Sequence, residues 1–81
     1  MKLTAEMSLY PLTNEFKPII QQFIEKLLES EDIEVLRNPL STQISGSYDK
    51  VFQLVSDTLA ASTKQFGKQV LVVKFIVGEF D

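Results

Sequence analysis

Cysteine and histidine are both absent from this sequence of 81 residues, and arginine occurs only once, as Arg37. Without cysteine and histidine the chain has no disulfide, no thiol nucleophile, no imidazole for acid–base catalysis and no zinc site of the usual kind. The net charge of −3 and the single arginine argue against the basic surface that nucleic-acid-binding proteins present. We therefore expect a protein that is not an enzyme, holds no metal or cofactor, and does not bind nucleic acid.

Long hydrophobic runs are also missing, since no apolar stretch approaches the ~20 residues of a transmembrane helix. A strand pattern begins at once at the N-terminus, with no signal-peptide pattern before it, so we expect a cytoplasmic protein without a membrane partner. The length predicts a single domain, residues 1–81. Such a short chain buries only about 60–65% of the surface that its unfolded form exposes, so self-association is the remaining route to greater burial.

Hydrophobic periodicity is well developed in this chain, and it predicts six elements in the order β-α-β-β-α-β. They are a strand over 2–9, a helix over 16–28, strands over 33–37 and 40–45, a helix between 47 and 67, and a strand over 69–77. We expect Thr13 or Asn14 to cap the first helix, Ser47 to cap the second, and Pro18 to lie in the first turn of the first. In a chain this short, that order predicts an α+β fold, the ferredoxin-like sandwich, in which a four-stranded antiparallel sheet carries two helices on one face.

The first and last strands differ in how their side chains alternate. The first places Leu3, Ala5, Met7 and Leu9 on one face and Thr4, Glu6, Ser8 and Tyr10 on the other. The last is apolar on both faces, with only Lys74 as an exception, and such a strand needs cover on both faces. The helices cover one face, and we expect a second copy of the chain to cover the other. Since the two strands should be neighbours, Glu6 can either pair with Lys74 or accept hydrogen bonds from a ligand, and the residues leave this choice open.

Three segments carry a resemblance to a known family: Ala5–Leu12, Ser41–Asp49 and Val72–Phe75. In this order and spacing they resemble the YkoF-like thiamine/hydroxymethylpyrimidine-binding family, in particular its short single-domain members. The resemblance implies a ferredoxin-like fold, association through sheets into dimers or tetramers, and binding of thiamine or its hydroxymethylpyrimidine part. Larger relatives hold two such units in one chain, so a chain with one unit would need two copies for the equivalent assembly.

Five polar residues form the candidate ligand-binding site that follows from this resemblance: Glu6, Ser8, Tyr10, Ser41 and Thr42. An aminopyrimidine is flat and needs an apolar slot, an acceptor for its amine and donors for its ring nitrogens. Glu6 can supply the acceptor, the three small hydroxyl residues can supply donors, and Tyr10 can stack on the ring. Each also has an ordinary structural explanation, such as close strand packing or a turn at Asn38–Pro39.

Two functions of different classes remain open. The first is non-catalytic binding of thiamine or hydroxymethylpyrimidine in salvage, transport or sensing. The alternative is a regulatory or scaffold oligomer that has no small-molecule ligand and whose sheet interface is its function. A small enzyme is disfavoured, because a lone carboxylate without histidine or a metal is weak support for proton-transfer chemistry.

Overall fold

The computed structural model describes residues 1–79 and contains six regular elements. They are β1 (Lys2–Pro11), α1 (Phe16–Leu28), β2 (Glu34–Arg37), β3 (Thr42–Ser47), α2 (Tyr48–Phe66) and β4 (Gln69–Val77). The strands form one sheet in the order β2-β3-β1-β4, and every neighbouring pair is antiparallel. Both helices pack on the same face of the sheet, so the predicted ferredoxin-like fold is confirmed.

The hydrophobic core lies between the central strand β1 and the two helices. The odd-numbered residues of β1 point into it, and Leu3 and Ala5 are completely buried there. α1 and α2 contribute stripes at helical spacing, and β3 contributes one residue: Ile19, Phe23, Leu27, Val51, Val55 and Ile44. The alternation predicted for β1 is therefore correct, and it identifies the sheet face that the helices cover. Neither helix in the described part of the chain is long and apolar enough to cross a membrane.

The predicted ends of two elements are wrong in instructive ways. α1 is preceded by Glu15 rather than by Thr13 or Asn14 at its capping position, and no side chain caps it, although Pro18 does lie in the first turn. β3 runs two residues further than expected and includes Gly46, which pairs with Leu3. A Cβ atom at Gly46 would lie 2.7 Å from Cδ1 of Ile33 and 3.1 Å from the carbonyl oxygen of Asp32, so a larger residue here would require Ile33 to shift. Gly46 therefore lies at a closely packed point inside the strand and does not mark its end.

Ser47 stands at the capping position of α2, as predicted, but its side chain makes no capping hydrogen bond. The first amide of the helix, that of Tyr48, instead donates to the carbonyl oxygen of Met1 at 2.9 Å. The amide of Gly78 donates to the carbonyl oxygen of Lys2 at 2.7 Å. The start of the chain is thus held both to α2 and to the end of β4.

β4 is an edge strand and is apolar on both faces, as its sequence predicts. On the helix side, Phe75 stacks on Phe52 of α2 with ring centroids 4.6 Å apart. On the other face Val70, Val72 and Ile76 are 46%, 48% and 44% exposed. Lys74 is the single charged residue of this edge strand and the strand has no proline, so it carries little of what usually prevents strands from associating.

Candidate ligand-binding site

A cavity of about 570 Å³ opens where the end of β1, the first half of α1 and the connection between β2 and β3 meet. Its formation follows from strand lengths. The pairing of β1 with β3 stops at Met7 and Thr42, whereas the pairing with β4 continues to Pro11 and Gln69. The last four residues of β1 therefore have no strand beside them on the β3 side. The space that this difference leaves is closed by α1 and by the connection over 38–41.

The wall that α1 contributes is apolar and partly aromatic, and it consists of Phe16, Ile20, Phe23 and Ile24. Phe23 belongs to the buried core, but Ile20 and Ile24 are only half-buried and Phe16 is 45% exposed. The sequence analysis predicted the helix that carries these four residues but gave them no part in a site. The sequence did indicate this role, because the apolar residues of α1 cover a wider part of the helix surface than packing against the core requires.

Four of the five predicted site residues line the cavity, namely Ser8, Tyr10, Ser41 and Thr42. The fifth, Glu6, does not line it but is directly connected to it. The Oγ atom of Ser41 donates a hydrogen bond of 3.2 Å to Oε2 of Glu6. The structure thus brings the predicted residues together at one end of the sheet, with the carboxylate behind the hydroxyl group.

The predicted residues do not share one face of the sheet. Thr42 pairs with Met7 and lies on the helix side, where only 8% of it is exposed. Glu6 and Ser8 lie on the opposite side of β1. They approach the same cavity because it is located at the end of the sheet, where both faces can contribute.

The connection between β2 and β3 is held against β1 by the hydrogen bond from Ser41 to Glu6 and by a second one from Ser8. The Oγ atom of Ser8 donates to the carbonyl oxygen of Leu40 at 3.1 Å. Within the connection, the amide of Asn38 donates to the carbonyl oxygen of Ser41 at 2.9 Å, which closes the turn that contains Pro39. Asn38, Pro39 and Leu40 line the cavity as well, and the sequence interpretation recognised only their turn.

Glu6 and Lys74 are direct cross-strand partners, as the sequence predicts, but they form no ion pair. Within residues 1–79 the only ion pair joins Lys50 and Asp32 at 2.9 Å, and both of these side chains are mostly exposed. The carboxylate of Glu6 is therefore engaged by Ser41 at the cavity rather than by Lys74 on the neighbouring strand.

The chemistry of the cavity is that of a neutral slot. Its lining includes no Lys, Arg, Asp or Glu, and its polar groups are hydroxyls and the amide of Asn38. Within the described residues, no group of three or more Asp or Glu side chains is placed to hold a metal ion. Apolar walls with a few hydrogen-bonding groups at one end are typical of sites that bind and orient a small organic molecule.

Comparisons with known proteins bear on the family and on the fold. The model of the YKOF-related family matches residues 2–79. Among solved structures, protein SP2199 from Streptococcus pneumoniae is similar with a TM-score of 0.89 and 23% sequence identity, over 98% of this chain and 89% of that one. Protein MJ1052 from Methanocaldococcus jannascii is similar with a TM-score of 0.83 and 18% identity, over 99% and 84% of the two chains.

A third similar structure carries a functional description. TM0486 from Thermotoga maritima, a protein proposed to act in thiamine biosynthesis or salvage, has a TM-score of 0.82 and 17% identity, over 93% of this chain and 82% of that one. At these identities the structures support the fold alone. No curated protein matches the sequence.

Proposed function

Because the chain belongs to the YKOF-related family, we propose that it binds thiamine or its hydroxymethylpyrimidine part without altering it chemically. The family predicted from the strand motifs is confirmed by the match over residues 2–79. The observation that carries the proposal is the neutral cavity at the end of β1, which contains four of the five residues expected to contact such a ligand. The description of TM0486 supports the same class of ligand.

The size and walls of the cavity fit a flat heterocycle. A volume of about 570 Å³ lies within the range of ~300–1,000 Å³ that is usual for small-molecule sites. Tyr10 and Phe16 stand at its exposed side, 54% and 45% exposed, and their rings can cover the faces of a pyrimidine. Thr42 supplies a hydroxyl group from the buried side.

Assembly through the sheet is part of the proposal. The exposed apolar face of β4 and the small core both favour association of two or more copies, with the cavities at the ends of the joined sheets. The same apolar face supports the alternative function, a regulatory or scaffold oligomer without a ligand. Ligand binding separates the two functions, because only the first requires the cavity.

Titration calorimetry with thiamine and, separately, with hydroxymethylpyrimidine tests the proposal. The two tyrosines of the chain provide a matched pair of variants, since Tyr10 lines the cavity and Tyr48 does not. We expect saturable binding by the wild type, weakened about 5- to 10-fold in Tyr10→Ala because ring stacking is lost, and unchanged in Tyr48→Ala. Absence of binding by the folded wild type, or equal losses in both variants, would contradict this function.

A further inference from the structure

We propose that the cavity selects unphosphorylated ligands that present N–H donors, and that it rejects the phosphate esters of the same compounds. This preference rests on the proposed function and specifies which form of the ligand is bound. It follows from three features of the site: the lack of positive charge in its lining, the direction of its hydrogen bonds, and the composition of the start of α1.

The lining contains no group that can neutralise a phosphate. Proteins recognise phosphate with arginine, lysine or several convergent backbone N–H groups. None of the residues that line this cavity is basic, and the one arginine of the chain, Arg37, is not among them. The ionised side chain connected to the lining is that of Glu6, which is negative and would repel an anion.

The hydroxyl groups of Ser8 and Ser41 have already used their protons. Ser8 donates to the carbonyl oxygen of Leu40, and Ser41 donates to the carboxylate of Glu6. A hydroxyl has one proton and two lone pairs, so each of these oxygens can only accept a hydrogen bond from a ligand. The sequence interpretation expected both serines to act as donors, and the structure reverses that expectation. An exocyclic amine satisfies such acceptors, whereas an ionised phosphate has only acceptors of its own.

The start of α1 is a further place near the cavity where an anion could be held, because the first amides of a helix are free donors. Here the helix begins at Phe16, which lines the cavity. The residue at its capping position is Glu15, a carboxylate, and Pro18 has no N–H to offer. Glu15 and Pro18 weaken the positive end of the helix, and the positive charge in the same turn, that of the exposed Lys17, does not line the cavity.

Glu6 is therefore a specificity-determining residue that acts through Ser41. Its carboxylate can only accept a hydrogen bond, so it holds the proton of Ser41 away from the ligand. The oxygen of Ser41 then offers the ligand a lone pair and no proton. In Glu6→Gln the side-chain amide can donate to Ser41, which releases the serine proton toward the ligand and removes the negative charge behind the cavity.

The test compares the affinities of thiamine and thiamine monophosphate, measured by calorimetry at constant ionic strength. We expect the phosphate ester to bind wild type at least about 10-fold more weakly than thiamine. In Glu6→Gln we expect this ratio to fall to about 3-fold or less, through weaker thiamine binding and stronger ester binding. Glu34→Gln is the matched control, because it removes the same charge from an exposed position on β2 and should leave the ratio unchanged.

Ser41→Ala provides a second variant in case Glu6→Gln does not fold. It removes the acceptor, so thiamine should weaken while the ester changes little, and the ratio should again decrease. Equal affinities of wild type for thiamine and its ester would overturn the selectivity and leave the proposed function intact. Failure of the wild type to bind thiamine, its ester or hydroxymethylpyrimidine would overturn both.

Discussion

β1 and β4 are neighbouring strands whose outer faces, on the side away from the helices, are chemically opposite. On β1 the outer residues Thr4, Glu6 and Ser8 all make hydrogen bonds within the chain, to Ser45, Ser41 and the carbonyl oxygen of Leu40. On β4 the outer residues are mostly valine and isoleucine, and about half of each side chain is exposed. The polar strand is satisfied by the protomer itself, whereas the apolar strand is left with surface that only another molecule can bury.

This contrast indicates a division of roles within one sheet. The polar groups of β1 continue into the candidate cavity at its end, and the fold itself fixes their arrangement. The apolar groups of β4 need no precise partner inside the chain and are suited to association. Three pairs of substitutions break or sharpen the comparison.

The largest expected effect distinguishes the buried face of the sheet from the outer face of β4. Ile44→Ala should lower the free energy of unfolding by about 2–5 kcal/mol, because this side chain is completely buried on β3. Ile76→Ala should change it by only about 0.5 kcal/mol in the protomer, since 44% of Ile76 is exposed. Urea unfolding at several protein concentrations measures both and separates the effect of association. Similar losses in the two variants would mean that the outer face of β4 is buried in the protomer.

Self-association provides the second test. Val72→Glu should weaken it at least about 100-fold, because the variant would bury an unpaired carboxylate between two copies. Leu28→Glu is the matched control, since Leu28 on α1 is 49% exposed and Val72 is 48% exposed. Sedimentation equilibrium gives the association constants. A wild type that is monomeric at all concentrations, or an equal effect of the control, would assign the apolar face of β4 no part in assembly.

The smallest expected effect comes from exchanging a hydroxyl group and a methyl group on the outer faces of the two strands, with nearly unchanged side-chain shape. Thr4→Val should cost about 1 kcal/mol, because Thr4 is 4% exposed and shares a hydrogen bond of 3.0 Å with Ser45. Val72→Thr should leave the stability of the protomer within about 0.5 kcal/mol, since its new hydroxyl would remain in water. Thermal unfolding of the two variants and of wild type measures these differences in stability. If Thr4→Val is neutral, the hydrogen bonds on the outer face of β1 do not stabilise the fold.

Much of the fold was predictable because it depends on local periodicity. The six elements, their order, the two faces of β1, the apolar character of β4 and the alignment of Glu6 with Lys74 all follow from alternation and from the topology that this order favours. The end of β3 was not predictable in the same way. The sequence suggests that the strand ends before Gly46, and only the folded chain shows this residue inside the strand, closely approached by Ile33 and by the carbonyl oxygen of Asp32.

The candidate site was predictable in its residues but not in its geometry. The cavity exists because β1 continues beyond β3, which is a property of strand register that no single segment encodes. Whether Glu6 contacts Lys74 or Ser41 depends on side-chain conformations, and the partner that each serine meets in the folded chain decides whether the serine donates or accepts. Hydroxyl residues near a turn indicate a polar end of a sheet, and only the folded chain decides the direction of their hydrogen bonds.

The pairing of β1 with β4 has a consequence for how the chain folds. Leu3 is paired with Val77, so this edge of β1 stays uncovered until β4, the most C-terminal of the four strands, has been synthesised. Contacts between such distant segments slow folding, because the entropy of closing nearly the whole chain is lost before the pairing is gained. During synthesis β1 is an unpaired strand with one exposed apolar face, and it stays vulnerable to aggregation until β3 and β4 have been synthesised.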